Sequence, residues 1–161
     1  MSIQEKVRAK IYACATAYGL GKNKLYARLL SAASIPFTFL THTLLSTQYK
    51  SLIFFTLIIT LSGFIIHSIA ASRMQKEEYS HLIVHHLIGV FLTFWGIPFK
   101  IKLVVFGFIV FHLITFVHAR FDNSLTKHIP YVSERTKFFL ASILGGISMN
   151  MYLRLLLWIA R

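Results

Sequence analysis

The chain has 161 residues, of which 56% are hydrophobic, 15% aromatic and only 14% charged. That length fits one domain, residues 1–161, and so little polar surface cannot cover a water-soluble globule, which excludes an ordinary soluble enzyme or binding module. The net charge of +12 does not indicate nucleic acid as a partner, because the basic residues sit at the ends of apolar runs, as they do in membrane proteins.

Residues 2–18 place Ile3, Val7, Ile11 and Cys14 at helical spacing, with Lys6, Arg8 and Lys10 on other faces. This predicts an N-terminal amphipathic helix lying at a membrane interface. No cleavable signal peptide is expected, since no long apolar core precedes a small-residue cleavage site. Cys14 is the single cysteine, so an intramolecular disulfide is excluded. Gly19-Leu20-Gly21-Lys22 then breaks the pattern. A phosphate loop would need glycine where Thr16 stands and Ser or Thr where Asn23 stands, so this stretch is read as a turn with basic flanks.

Five apolar runs follow, near residues 28–45, 51–71, 81–97, 101–117 and 137–160. Several approach or exceed the roughly 18 residues that cross a bilayer core. The expected fold is an all-α membrane protein, a bundle of about five transmembrane helices preceded by the interfacial helix. Pro36 falls inside the first run and predicts a kink there, or a re-entrant segment. The third and fourth runs form a hairpin around a turn holding Pro98, Lys100 and Lys102. The fifth carries Ala141, Ser142, Gly145, Gly146 and Ser148, a pattern that lets a neighbouring helix approach closely. Asn150 is expected to hydrogen-bond between helices. Trp95 and Trp158 are expected in an aromatic belt, and Phe54, Phe55, Phe64, Phe106, Phe108 and Phe111 in lipid contact or packing.

With the N-terminus in the cytoplasm, twelve of the 17 basic residues fall on the cytoplasmic side. Lys50, Lys100, Lys102, Arg154 and Arg161 fall on the other side. That bias sets the orientation, and a bacterial inner membrane is the expected location. His67, His81, His85, His86, His112 and His118 then lie toward the cytoplasmic half, and only His42 lies toward the outer side. The five carboxylates, Glu5, Glu77, Glu78, Asp122 and Glu134, all fall outside the expected spans.

Three readings of the histidines stay open. They are neutral polar residues bonded across helices, or a transition-metal or haem site using His85, His86 and His112 with His67 or His118. In the second case His81 and His85 have the i, i+4 spacing of one helical face. The third is a pocket for an anionic lipid headgroup, with Lys22, Lys24, Arg28 and Arg120 contacting phosphate.

From about Ala15 to Trp158 the order of segments resembles the phosphatidylglycerophosphatase A family, membrane enzymes that dephosphorylate phosphatidylglycerophosphate with magnesium. Ala15-Thr16-Ala17-Tyr18-Gly19 loosely matches that family's Ala-Thr-Gly-x-Gly, and Ile35-Pro36 fits the span that follows. The family's Val-Ile-Asp-Glu-x-x-Gly meets Ile83-Val84-His85-His86-Leu87-Ile88-Gly89, followed by Leu92-Thr93 and Pro98. Its Phe-Arg-x-x-Asp-x-x-Lys-Pro meets Phe111 to Ala119, which puts Thr115 at the aspartate and His118 at the lysine. Its Asp-Asp meets Ala141-Ser142. The resemblance thus implies a site at His85, His86, Thr115, His118, Ala141 and Ser142 whose carboxylates are gone. Magnesium demands hard oxygen ligands, so the expectation is a magnesium site lost and no cofactor retained. The chain then serves as a non-catalytic scaffold, a lipid-binding component, or an accessory subunit contacting membrane lipids and other membrane proteins. The competing expectation is an active lipid phosphatase with a site rebuilt from histidine.

Overall fold

A computed structural model describes residues 3–45, 48–75, 79, 81–125 and 133–160. Among these residues every regular element is helical. Helix α1 spans Ile3–Ala15. A turn follows in which Ala17, Tyr18 and Gly19 all have positive φ, and a 3-10 turn over Leu20–Lys22 completes the predicted break. Asn23 caps α2 (Lys24–Leu30) by accepting a bond from the Leu25 amide at 2.9 Å.

The first predicted run is not one uninterrupted helix. A 3-10 turn at Ser31–Ala33 separates α2 from α3, Ser34–Leu45. The cause lies one turn downstream, because Pro36 offers no N–H to the Ala32 carbonyl and its ring crowds that oxygen. Within α3 Pro36 is the third residue, where an amide has no intrahelical partner, so it costs no bond there. Hydroxyls compensate along this path, as Ser34 donates to the Ser31 carbonyl and Thr38 to that of Ser34, both at 2.7 Å.

Among the described residues, two helices are long and apolar enough to cross a membrane. The first lies in α4, Tyr49–Ala71, and the second in α7, Glu134–Ile159. Their most apolar stretches are only 17% and 33% buried, which distinguishes them from the core helices of a soluble protein. Ile53, Phe54, Leu57, Leu61 and Ile65 of α4 are exposed, as are Leu144, Met151, Leu155 and Trp158 of α7.

Between them stand α5, Val84–Phe94, and α6, Ile101–Leu125. Helix α5 is shorter than the predicted run. Its start is fixed because the Ile83 amide donates to the Ala15 carbonyl at the end of α1, 2.9 Å away. Its end is fixed at Gly96, which turns with φ +67. At about 1.5 Å per residue its 11 residues rise only about 16 Å. It is nevertheless the hub, with eight of those residues buried and α3, α4, α6 and α7 packed around it.

The most extensive packing between described helices joins α5 to α7. A Cβ on Gly146 would collide with the Gly89 carbonyl, and one on Gly89 would collide with Phe111. Ser142, Gly146, Met149 and Leu153 form the inward stripe of α7, whereas Ser148 faces outward. The small-residue pattern therefore does what its spacing predicted at Gly146. Around this seam Val90, Phe94, Ile97, Phe111, Met149 and Leu153 form the main core.

Helix α6 runs beyond the expected span and takes in Asp122, and α7 begins at Glu134. Glu77 and Glu78 lie outside the described residues.

Candidate functional site

The third and fourth runs each carry histidine into the bundle, and α4 adds another. His67 comes from α4, His85 and His86 from the first turn of α5, and His112 from the middle of α6. Their exposures are 0%, 2%, 8% and 9%, so all four are core residues. They form a row. The His67 and His85 ring centroids are 5.3 Å apart at 83°, those of His85 and His86 4.1 Å at 40°, and those of His86 and His112 5.6 Å at 62°.

Aromatic side chains line the row. Phe139 lies 5.4 Å from His67, while Phe108 and Phe111 lie 4.6 and 5.0 Å from His112. One end of the row meets the 3-10 turn that Pro36 creates. Ser31 donates its single hydroxyl proton to the Arg28 carbonyl at 2.5 Å. The 3.1 Å bond between Ser31 Oγ and His112 Nε2 must therefore use the imidazole's proton. That donor count assigns His112 the Nε2–H tautomer and leaves Nδ1 as a lone pair. The Nδ1 atoms of His85, His86 and His112 are buried without a hydrogen-bond partner among the described residues. Each such orphan costs about 1–3 kcal/mol.

Other expected site residues divide into two groups. Ser142 is buried on α7, and its carbonyl lies against Gly89, one turn past His85. Thr115 is half-buried one turn along α6 from His112, and its hydroxyl donates to the His112 carbonyl at 3.1 Å. Ala141 is half-buried beside Ser142. Arg28 is half-buried on α2, next to the Ser31–His112 end of the row. His118 and Arg120 lie on α6, Lys22 ends the first 3-10 turn and Lys24 begins α2, but their side chains are outside the described part of the structure. His81 is corrected. It precedes α5, so the i, i+4 relation to His85 on one helical face does not hold.

Comparison with protein-family models, curated proteins and solved structures returned no match.

What the row can do follows from its own atoms. The magnesium implied by the family resemblance does not fit it, because imidazole nitrogens and aliphatic hydroxyls replace the hard, charged oxygens that magnesium requires. The nearest helical carboxylate along α6 is Asp122, ten residues past His112, or about 15 Å of helix. Glu134 begins α7 eight residues before Ser142, about 12 Å away along the axis. Among the described residues no group of three or more His, Cys, Asp or Glu is disposed to hold a metal ion.

Sequence reasoning missed Ser31. Its bond to His112 spans 81 positions in the chain, and no local pattern marks it.

Beside the row lies an open cavity of about 400 Å³, lined by Leu25, Arg28, Leu29, Phe108, Ile109, His112 and Leu113. Its walls are aliphatic and aromatic, with one guanidinium-bearing residue and one imidazole at its inner edge.

Proposed function

We propose that the chain is a five-span membrane bundle that resembles the phosphatidylglycerophosphatase A fold and binds anionic phospholipid without hydrolysing it. The observation that carries this reading is the buried row of His67, His85, His86 and His112, lined by aromatic side chains, in which His85 and His86 stand where the resemblance puts carboxylates. Phosphoryl transfer depends on positioned metal ions and charge neutralisation, and the row supplies imidazole nitrogens where magnesium takes hard oxygens. Helix α5 is too short to match a ~30 Å hydrocarbon core by itself. It is enclosed by its neighbours and need not face lipid at both ends.

The cavity beside Arg28 supports lipid as the ligand. A headgroup phosphate pairs with the guanidinium, and an acyl chain lies along Leu29, Phe108, Ile109 and Leu113. The distribution of basic residues supports an N-terminus in the cytoplasm and a bacterial inner membrane. A non-catalytic component of this kind acts as a scaffold or an accessory subunit of a larger membrane assembly.

Lipid retention tests the reading. Purified protein in a non-ionic detergent is expected to carry anionic phospholipid detectable by mass spectrometry. Arg28→Ala is expected to lower that amount about tenfold, the equivalent of one charge-assisted contact. An unchanged anionic lipid complement in the Arg28→Ala protein would remove the cavity from the account.

A further inference from the structure

The opposite end of the bundle holds a second built site. Helix α5 ends there against α7, and Asn150 spans the junction. Its Nδ2 donates to the carbonyls of Thr93 at 3.0 Å and Trp95 at 2.8 Å. Its Oδ1 accepts from Arg154 Nε at 2.8 Å, and Arg154 Nη2 donates to the Trp95 carbonyl at 3.0 Å. The guanidinium is thus held by two bonds and lies 6.0 Å from the Trp95 ring centroid.

Gly96 makes room for this arrangement. Its φ of +67 disfavours any side chain, and a Cβ there would stand 2.8 Å from Arg154 Nη2 and 4.0 Å from His42 Nε2. The ends of α3, α5 and α7 therefore meet at one point. A cavity of about 340 Å³ opens beside it, lined by Gly96, Pro98, Lys100, Arg154, Leu157 and Trp158.

Two cationic side chains face this cavity, and among the described residues neither forms an ion pair. Asp122 lies 21 residues past the start of α6 at Ile101, about 32 Å of helix. Glu134 lies 20 residues before Arg154, about 30 Å along α7. Arg154 has five N–H donors. Two of them make the bonds above, and the other three make none to described protein atoms. A fixed guanidinium with spare donors, a lysine at the rim and an exposed tryptophan beside them form a receptor for a tetrahedral oxyanion.

We infer that this cavity binds a phosphate group, with Arg154 as the fixed donor and Lys100 as the mobile one. The group comes either from the headgroup of a phospholipid in that leaflet or from a soluble phosphate. The site is separate from the Arg28 cavity, and it stands whether or not that cavity binds lipid.

Both tryptophans of the chain, Trp95 and Trp158, are at this end. Intrinsic fluorescence therefore reports this site and not the Arg28 cavity. The experiment titrates phosphatidylglycerol with brominated acyl chains into the full-length protein in a non-ionic detergent, with brominated diacylglycerol as the phosphate-free control. Saturable quenching by the phospholipid is expected, and its midpoint should rise about tenfold in Lys100→Ala and in Arg154→Lys. Lys100 is exposed and forms no ion pair with a described residue, so its variant keeps the test valid if Arg154→Lys folds poorly. Reversal of quenching by inorganic phosphate supports the inference and assigns the site to soluble phosphate as well. Failure of inorganic phosphate to reverse it supports the inference with lipid as the source. Equal quenching by brominated diacylglycerol, or an unchanged midpoint in Lys100→Ala, would overturn it.

Discussion

Gly146→Val is expected to cost the folded protein about 3 kcal/mol or more, the upper range for forcing bulk into a packed seam. In a lipid environment apolar side chains gain little by leaving their surroundings, so helix association rests on van der Waals contact at short separation. The contact of α5 with α7 is the most extensive between described helices, and it depends on backbone meeting backbone at Gly89 and Gly146. A valine at 146 has no flexible neighbour to displace, because the obstructing atom is the Gly89 carbonyl. The helices must separate, which loosens the packing of Phe111 and Met149 around the seam. Thermal unfolding of the detergent-solubilised protein measures the effect. Ser148→Val, on the outward face of the same helix, is the control and should melt as the wild type does. Equal melting of the two variants would show that the seam does not hold the bundle.

Asn150→Leu should cost about 2–4 kcal/mol, since each buried polar group left without a partner costs about 1–3 kcal/mol. Leucine fills a similar volume, so the loss is electrostatic and not a cavity effect. It strands the carbonyl of Thr93, removes one of the two donors to that of Trp95, and removes the acceptor that positions Arg154 Nε. Arg154 retains its bond to the Trp95 carbonyl, which limits the damage. Two readouts check this, a lower melting temperature and a shift of tryptophan emission as the groups around Trp95 rearrange. A wild-type melting temperature would mean that the junction is dispensable.

The long apolar runs were legible because nothing in them competes with the helix. The predicted 51–71 and 137–160 correspond to Tyr49–Ala71 and Glu134–Ile159. The first run was harder. Pro36 signalled a disturbance, but the break appears one turn earlier, at Ser31–Ala33, where the carbonyl facing the proline ring lies. Helix α5 is shorter than its hydrophobicity suggests because its start is held by the Ala15 carbonyl, a contact between residues far apart in sequence.

The histidines follow the same division. Their burial was expected from the cost of placing imidazole among apolar side chains. The partition of His85, His86 and His112 into one row with His67 depends on how three helices pack, which no single helix encodes. His81 looked like a partner of His85 only on the assumption that α5 extends that far. Asn150 and Arg154 carried a readable signal, an amide and a cation at i, i+4 on one helix. The sequence could not indicate that the end of α5 would sit beside them.

We propose that the imidazole row, with His85 and His86 where the resembled phosphatases carry carboxylates, does not hydrolyse lipid. Phosphate release from phosphatidylglycerophosphate by the purified chain, with and without magnesium and beside an authentic phosphatidylglycerophosphatase A, tests this most directly. Release no greater than that of a protein-free blank is expected under either condition, while the authentic enzyme turns over in magnesium. Turnover by this chain that disappears in His85→Ala would contradict it and make the histidine row a rebuilt active site.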